Sequence, residues 1–149
     1  MATCPGGRYL VTAALQLLEV LPDSPWDFRK IITMMDAIDR DAAVEPGMVE
    51  LVDLTGVELD LDMEELDTIG VMQKDNMRRR GFRRAAVVVD DEEHQVLIEL
   101  VIALGRFGSG TARVFCQRSA AMAWLLREED ATAAQAGQDA AGHQFSDVS

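Results

Sequence analysis

Cysteine and histidine each occur only twice in this chain, and aromatic residues make up 5% of it. Cys4 and Cys116 lie too far apart in sequence for a CxxC pair or a zinc-ligand spacing. The expectation is one thiol in an N-terminal tail and one in the core, both reduced, as in a cytoplasmic protein. His94 is the lone histidine before the C-terminal stretch and is expected at the surface, so no metal site is expected. Long apolar runs are also missing. Leu10 to Leu21 is broken by Gln16 and Glu19 and preceded only by Arg8. It falls short of the roughly 20 residues that cross a membrane, and neither a membrane span nor a signal peptide is expected. Cations are few: 14 Lys and Arg against 26 Asp and Glu leave a net charge of −12. Such a field repels phosphate backbones, which argues against nucleic acid as a partner. No Ser or Cys stands in an activated-nucleophile context such as G-x-S-x-G. A non-enzymatic protein without a cofactor is expected.

What is present suits one soluble α/β domain. The 149 residues are 48% hydrophobic and 27% charged, and a chain of this length buries about 68–70% of its unfolded surface without metal or disulfide staples. The organising stretch is Met48 to Leu66. After the breaker pair Pro46-Gly47, the run Met48-Val49-Glu50-Leu51-Val52-Asp53-Leu54 is short and apolar, as befits the middle of a parallel sheet covered on both faces. Thr55-Gly56 closes it. Asp60 and Asp62 are candidate N-caps for a helix to Arg80, with Gly81 as its stop. Its expected inner face is Met63, Leu66, Ile69, Gly70 and Met77.

On either side the signals alternate. Tyr9 to Leu21 fits both a period-two strand and a helical stripe. Ser24-Pro25 reads as an N-cap followed by proline at the first helical position, opening a helix to about Arg40 with Phe28, Ile31, Ile32, Met35 and Ile38 on one face. Arg84 to Asp90 is the next strand. Asp90-Asp91-Glu92-Glu93 then opens a third helix to about Phe107, whose apolar residues wrap nearly around it and ask for more than one covering surface. Gly105 to Gly110 is a helix stop and turn; a phosphate loop would run the other way, from strand into helix. Thr111 to Cys116 is a last strand, and Ser119 caps a last helix. The domain is placed at residues 9–128, between a tail at 1–8 and a disordered tail at 129–149.

Three segments carry a family resemblance. Asp53-Leu54-Thr55-Gly56-Val57 resembles the D-L-[ST]-G-V segment of STAS domains, the fold of anti-sigma-factor antagonists. Arg83 to Asp90 resembles the R-x-A-V-V strand of the SpoIIAA-like branch, which is grouped with the CRAL-TRIO lipid-binding fold. Ala112-Arg113-Val114-Phe115, with Ala121 to Leu125 after it, resembles that branch's closing V-R-V-F strand and A-x-x-W-L helix. Together they cover residues 9–127. The resemblance implies a single-domain, mostly parallel sheet with packed helices. It favours strand for residues 9–21, although Pro22-Asp23-Ser24-Pro25 stands where relatives carry Gly-x-x-[ST]. The serine phosphorylated in STAS antagonists falls at Asp62 here, so no hydroxyl accepts phosphate and no phosphorylation switch is expected at that site.

The remaining constellations have ordinary explanations. Glu58 to Asp67 is acidic, but neither counting frame puts Gly and Glu where a calcium loop needs them. Lys74, Arg78, Arg79, Arg80, Arg83 and Arg84 gather six of the 14 cations; Arg78, Arg79 and Arg80 are a candidate anion patch, although cations also suit a helix C-terminus. Eight methionines suit either a core or an adaptable apolar pocket. The leading expectation is a homodimeric, STAS-like interaction domain that uses Leu97, Leu100, Val101 and Leu104 of the third helix against a protein partner. The alternative is a small carrier that binds an apolar or lipid-like molecule.

Overall fold

The computed structural model describes residues 1–108 and 110–127. The tail expected at residues 129–149 lies outside the described residues. A six-stranded sheet runs in the order β1 (Ala2–Cys4), β2 (Gly7–Thr12), β3 (Leu17–Pro22), β5 (Val49–Asp53), β7 (Arg84–Val88), β8 (Ala112–Phe115). The first three strands are antiparallel neighbours, and β3, β5, β7 and β8 run parallel. The fold is α/β with a mostly parallel central sheet, and β5 lies inside it between two parallel neighbours, as its apolar run implied.

Residues 1–8 are not a free tail: β1 pairs with β2 through Ala2↔Tyr9 and Cys4↔Gly7. The ambiguous segment from Tyr9 is a β2–β3 hairpin. Its strands are joined by a short 3-10 turn, Ala13–Leu15, and by Gln16 in the left-handed region at φ 52. A two-residue ladder, β4 (Trp26–Asp27) beside β6 (Leu59–Asp60), sits apart from the main sheet.

Four helices cover the sheet. α1 (Phe28–Asp39) starts later than Ser24-Pro25 suggested. Asp27 is its N-cap, accepting from the Lys30 N–H at 2.9 Å. Ser24 Oγ instead accepts from the Glu58 N–H at 2.9 Å, and the Ser24–Pro25 bond is cis. α2 (Met63–Arg80) begins in a reciprocal capping box between Asp62 and Glu65 and stops at Gly81, φ +72. α3 (Glu92–Leu104) is capped by Asp91. α4 (Arg118–Leu125) takes Gln117 at its N-cap without a side-chain bond, so Ser119 is not the cap.

Each parallel connection through α1, α2 and α3 returns to the next strand in line, which puts those helices on one face. That face holds Leu18, Val20 and Ala85 against Met34, Ile38 and Met77. α4 alone covers the other, where Leu17, Val49, Leu51 and Val88 meet Ala121 and Leu125. At the α2–α3 crossing two glycines let backbones meet. A Cβ on Gly70 would stand 2.9 Å from the Val101 carbonyl oxygen, and one on Gly105 would stand 2.7 Å from that of Gly70.

Candidate functional site

The many-helix side of the sheet is incompletely filled. A cavity of about 120 Å³ lies between the strands and α1–α3. Its floor is Val20, Val52, Leu54, Val87 and two alanines, Ala85 and Ala112, which are register partners on β7 and β8. The alanines are the local reason for the space: larger side chains at both positions would reach into it. From above, α1 contributes Ile31, Met34, Met35 and Ile38, while α2 contributes Ile69 and Met77. Ile98, Val101 and Ile102 of α3 and Phe107 beyond it complete the roof. Three of the eight methionines, Met34, Met35 and Met77, thus line the cavity. Met63, expected on the inner face of α2, is exposed.

Polar groups reach this apolar space at four places. Glu50, only 4% exposed, points from β5 into it, on the row that runs Leu18, Glu50, Ala85, Ala112 across the sheet. Burial pushes its carboxyl above the usual glutamate range. The charge of Arg80 and a 2.7 Å hydrogen bond donated by Gln73 Nε2 to Oε1 pull the other way without cancelling the rise. Gln73 is the second polar group. Arg80, the third, is turned toward α1: Nε donates to Asp39 at 2.7 Å and Nη2 to the Met35 carbonyl at 3.1 Å. Desolvation would raise the Asp39 carboxyl, but hydrogen bonds from Arg80 and Arg79 outweigh it and hold it below the usual range. The fourth group is the Trp26 indole N–H. Nε1 is buried and has no hydrogen-bond partner.

The residues singled out in sequence are dispersed. Of the α3 set, Val101 lines the cavity, Leu97 and Leu100 are half-buried, and Leu104 is exposed. No described residue of α3 is fully buried, and Val96 is 60% exposed. Leu104 and Val71, itself 59% exposed, line a shallow depression on the outer α2–α3 surface. In the arginine run, Arg78 pairs with Asp75 at 2.8 Å, Arg79 with Asp39 at 3.3 Å and Arg80 with Asp39, so acids stand beside all three. Arg84 is on the other side of the sheet, buried, donating to the Trp124 carbonyl at 2.8 Å with its guanidinium 5.5 Å from that ring. Asp62 is exposed, its carboxylate accepting from the Glu65 N–H at 2.8 Å.

A second cluster, Asp90, Asp91 and His94, brings ligand-type atoms within 4.8 Å of one another. Structural duties account for the placing of the acids. Asp90 Oδ2 accepts from the Gly56 N–H at 2.9 Å, and Asp91 Oδ1 caps α3 through the His94 N–H at 2.7 Å. The His94 side chain, expected at the surface, is only 14% exposed, with Nδ1 3.0 Å from Asp91 Oδ2. Cys116, expected in the core, is exposed, because it lies just past the end of β8. Cys4 and Cys116 are both free thiols.

Glu50 and Trp26 were not singled out from sequence as polar members of a site. For Glu50 a signal existed: a carboxylate inside Val49-Glu50-Leu51-Val52, on a strand expected to be covered on both faces, has no solvent to turn to. Trp26 carried no comparable signal.

No protein-family model matches this sequence, and no curated protein matches it. Among solved structures the chain is similar to that of an uncharacterized protein from the DUF3478 family, with a SpoIIAA-like fold, from Shewanella loihica PV-4. The TM-score is 0.50 and the identity 17%, covering 84% of this chain and 98% of that one. The chain has a SpoIIAA-like fold, as the VDLTG, R-x-A-V-V and A-x-x-W-L segments implied.

Proposed function

We propose that this chain is a non-enzymatic binding domain that takes a small apolar molecule into the cavity between its sheet and α1–α3. The observation that carries the reading is the cavity itself: about 120 Å³, walled by aliphatic side chains and by Met34, Met35 and Met77. An apolar cavity of about 150 Å³ admits benzene, so the volume suits a ring-sized molecule more than a long acyl chain. Methionine walls adapt to the shape of what they enclose. None of the described lining residues is Ser, Thr, Cys, Lys or His, which supports binding over turnover. The exposed free thiol of Cys116 supports a reducing, cytoplasmic setting, and no described helix is long and apolar enough to cross a membrane. The fixed carboxylate of Asp62 at the start of α2 supports a domain that is not switched by phosphate there.

Thermal-shift measurements with ring-sized hydrocarbons, alongside native mass spectrometry of the purified chain, test the reading. The melting temperature rises with ligand concentration, and Ala112→Leu, which fills the cavity, abolishes the rise. A flat response in the parent chain across the panel removes the proposal.

A second reading, self-association, is favoured by the outer face of α2 and α3, where Val71, Val96 and Leu104 stand exposed. Light scattering at micromolar concentration is expected to give twice the monomer mass, and Val96→Lys to return it to the monomer. A strict monomer in the parent chain ends this reading and leaves the first intact.

A further inference from the structure

We infer that the molecule held in the cavity is neutral and bears a hydrogen-bond acceptor, such as a carbonyl oxygen, that pairs with the Trp26 indole N–H. This rests on the cavity reading above and goes beyond it, because an apolar cavity alone selects for size and not for chemistry.

Trp26 is placed by the β4–β6 ladder: its backbone N–H donates to the Glu58 carbonyl at 2.8 Å, and it is the register partner of Leu59. The ring packs against the cluster of Leu54, Val57 and Val89 and lines the cavity. Its N–H is fully buried with no partner. Buried tryptophan N–H groups ordinarily find acceptors, and one left bare weakens the fold. A ligand acceptor in the adjoining space relieves that cost at the moment of binding, so the site discriminates by hydrogen bonding as well as by fit.

The other polar lining groups decide the charge. Arg80 is committed to Asp39 at 2.7 Å and to the Met35 carbonyl, which leaves its charge answered. Glu50 faces the same cavity with its Oε1 on Gln73. An anionic ligand would therefore enter beside a buried carboxyl with no uncommitted cation to meet it, a costly arrangement in a dry site. A neutral acceptor meets no such obstacle.

The test uses the full chain and three ring-sized probes: cyclohexanone, its hydrocarbon counterpart methylenecyclohexane, and benzoate. Affinity is followed by titration, and the two indole N–H resonances by 15N NMR. Cyclohexanone is expected to bind about tenfold tighter than methylenecyclohexane and to shift the Trp26 indole resonance downfield; the hydrocarbon does not. In Trp26→Phe the tenfold preference disappears while hydrocarbon affinity holds within about twofold. Equal affinity for ketone and hydrocarbon in the parent chain, with the Trp26 resonance unmoved, overturns the acceptor and leaves the cavity reading standing. Benzoate binding tighter than cyclohexanone overturns neutrality. Binding of none of the three overturns the cavity reading, and this inference with it. Should Trp26→Phe fail to fold, the resonance shift in the parent chain decides alone.

Discussion

The two faces of the sheet are covered in opposite ways. On one, a single eight-residue helix, α4, closes a core in which Leu17, Val49, Leu51, Ala86 and Leu125 are all essentially inaccessible. On the other, three longer helices lie over the strands and still leave a cavity, a buried carboxyl and a bare indole N–H. Tight interdigitation maximises stability but leaves no room for a guest. The α4 face therefore serves as foundation, and the strain of polar groups in apolar surroundings is confined to the face proposed to bind. Neighbouring residues of β5 show the division: Leu51 points to the dense side and Glu50 to the hollow one.

The comparison can be broken or sharpened by substitution. Leu51→Ala removes a fully enclosed side chain from the dense face and is expected to cost about 3 kcal/mol in chemical denaturation; a loss under about 1 kcal/mol would mean that this face is not the foundation. Glu50→Gln keeps the hydrogen bond with Gln73 and removes the titrating group. Because the folded carboxyl titrates above its ordinary value, the parent loses stability as pH rises from the usual glutamate range through the raised one. The variant should melt higher than the parent at pH 8 and match it more nearly at pH 4, with about 2–4 °C for each kcal/mol recovered. A parallel pH dependence in both chains would show that Glu50 is not the source. Asp62→Ala, which strips the capping box from α2, should cost about 1 kcal/mol and loosen the cavity's roof, visible as faster amide exchange in α2 than in α4. Ala112→Leu has the smallest expected effect on stability, within about 1 kcal/mol of the parent, because the added carbons enter empty space. A loss as large as that of Leu51→Ala would show the hollow face to be as dense as the other.

Much of this was legible in sequence wherever a signal was local. The Pro46-Gly47 break followed by an apolar run marked β5, and Asp62 and Gly81 marked both ends of α2, since caps act within a few residues of where they stand. Ser24-Pro25 misled because Ser24 spends its hydroxyl on Glu58, 34 residues away, while Asp27 does the capping. Residues 9–21 stayed ambiguous because five alternating apolar positions also make a helical stripe; the left-handed Gln16 that resolves them into a hairpin carries no glycine to announce it. The cavity was the least legible feature. Its walls come from four parallel strands and three helices, and Glu50 finds Gln73 across 23 positions, so no window of sequence contains the site. The methionines hinted at a pocket but could not locate it.

The placing of α4 has a consequence for synthesis. A ribosome that has released residues 1–117 has delivered every strand and every helix of the hollow side, yet Leu17, Val49, Leu51 and Val88 still await their cover. The nascent molecule is a half-roofed sheet with a greasy underside until eight more residues emerge. Chains truncated before Trp124 should accordingly be captured by chaperones or aggregate rather than accumulate as smaller native domains.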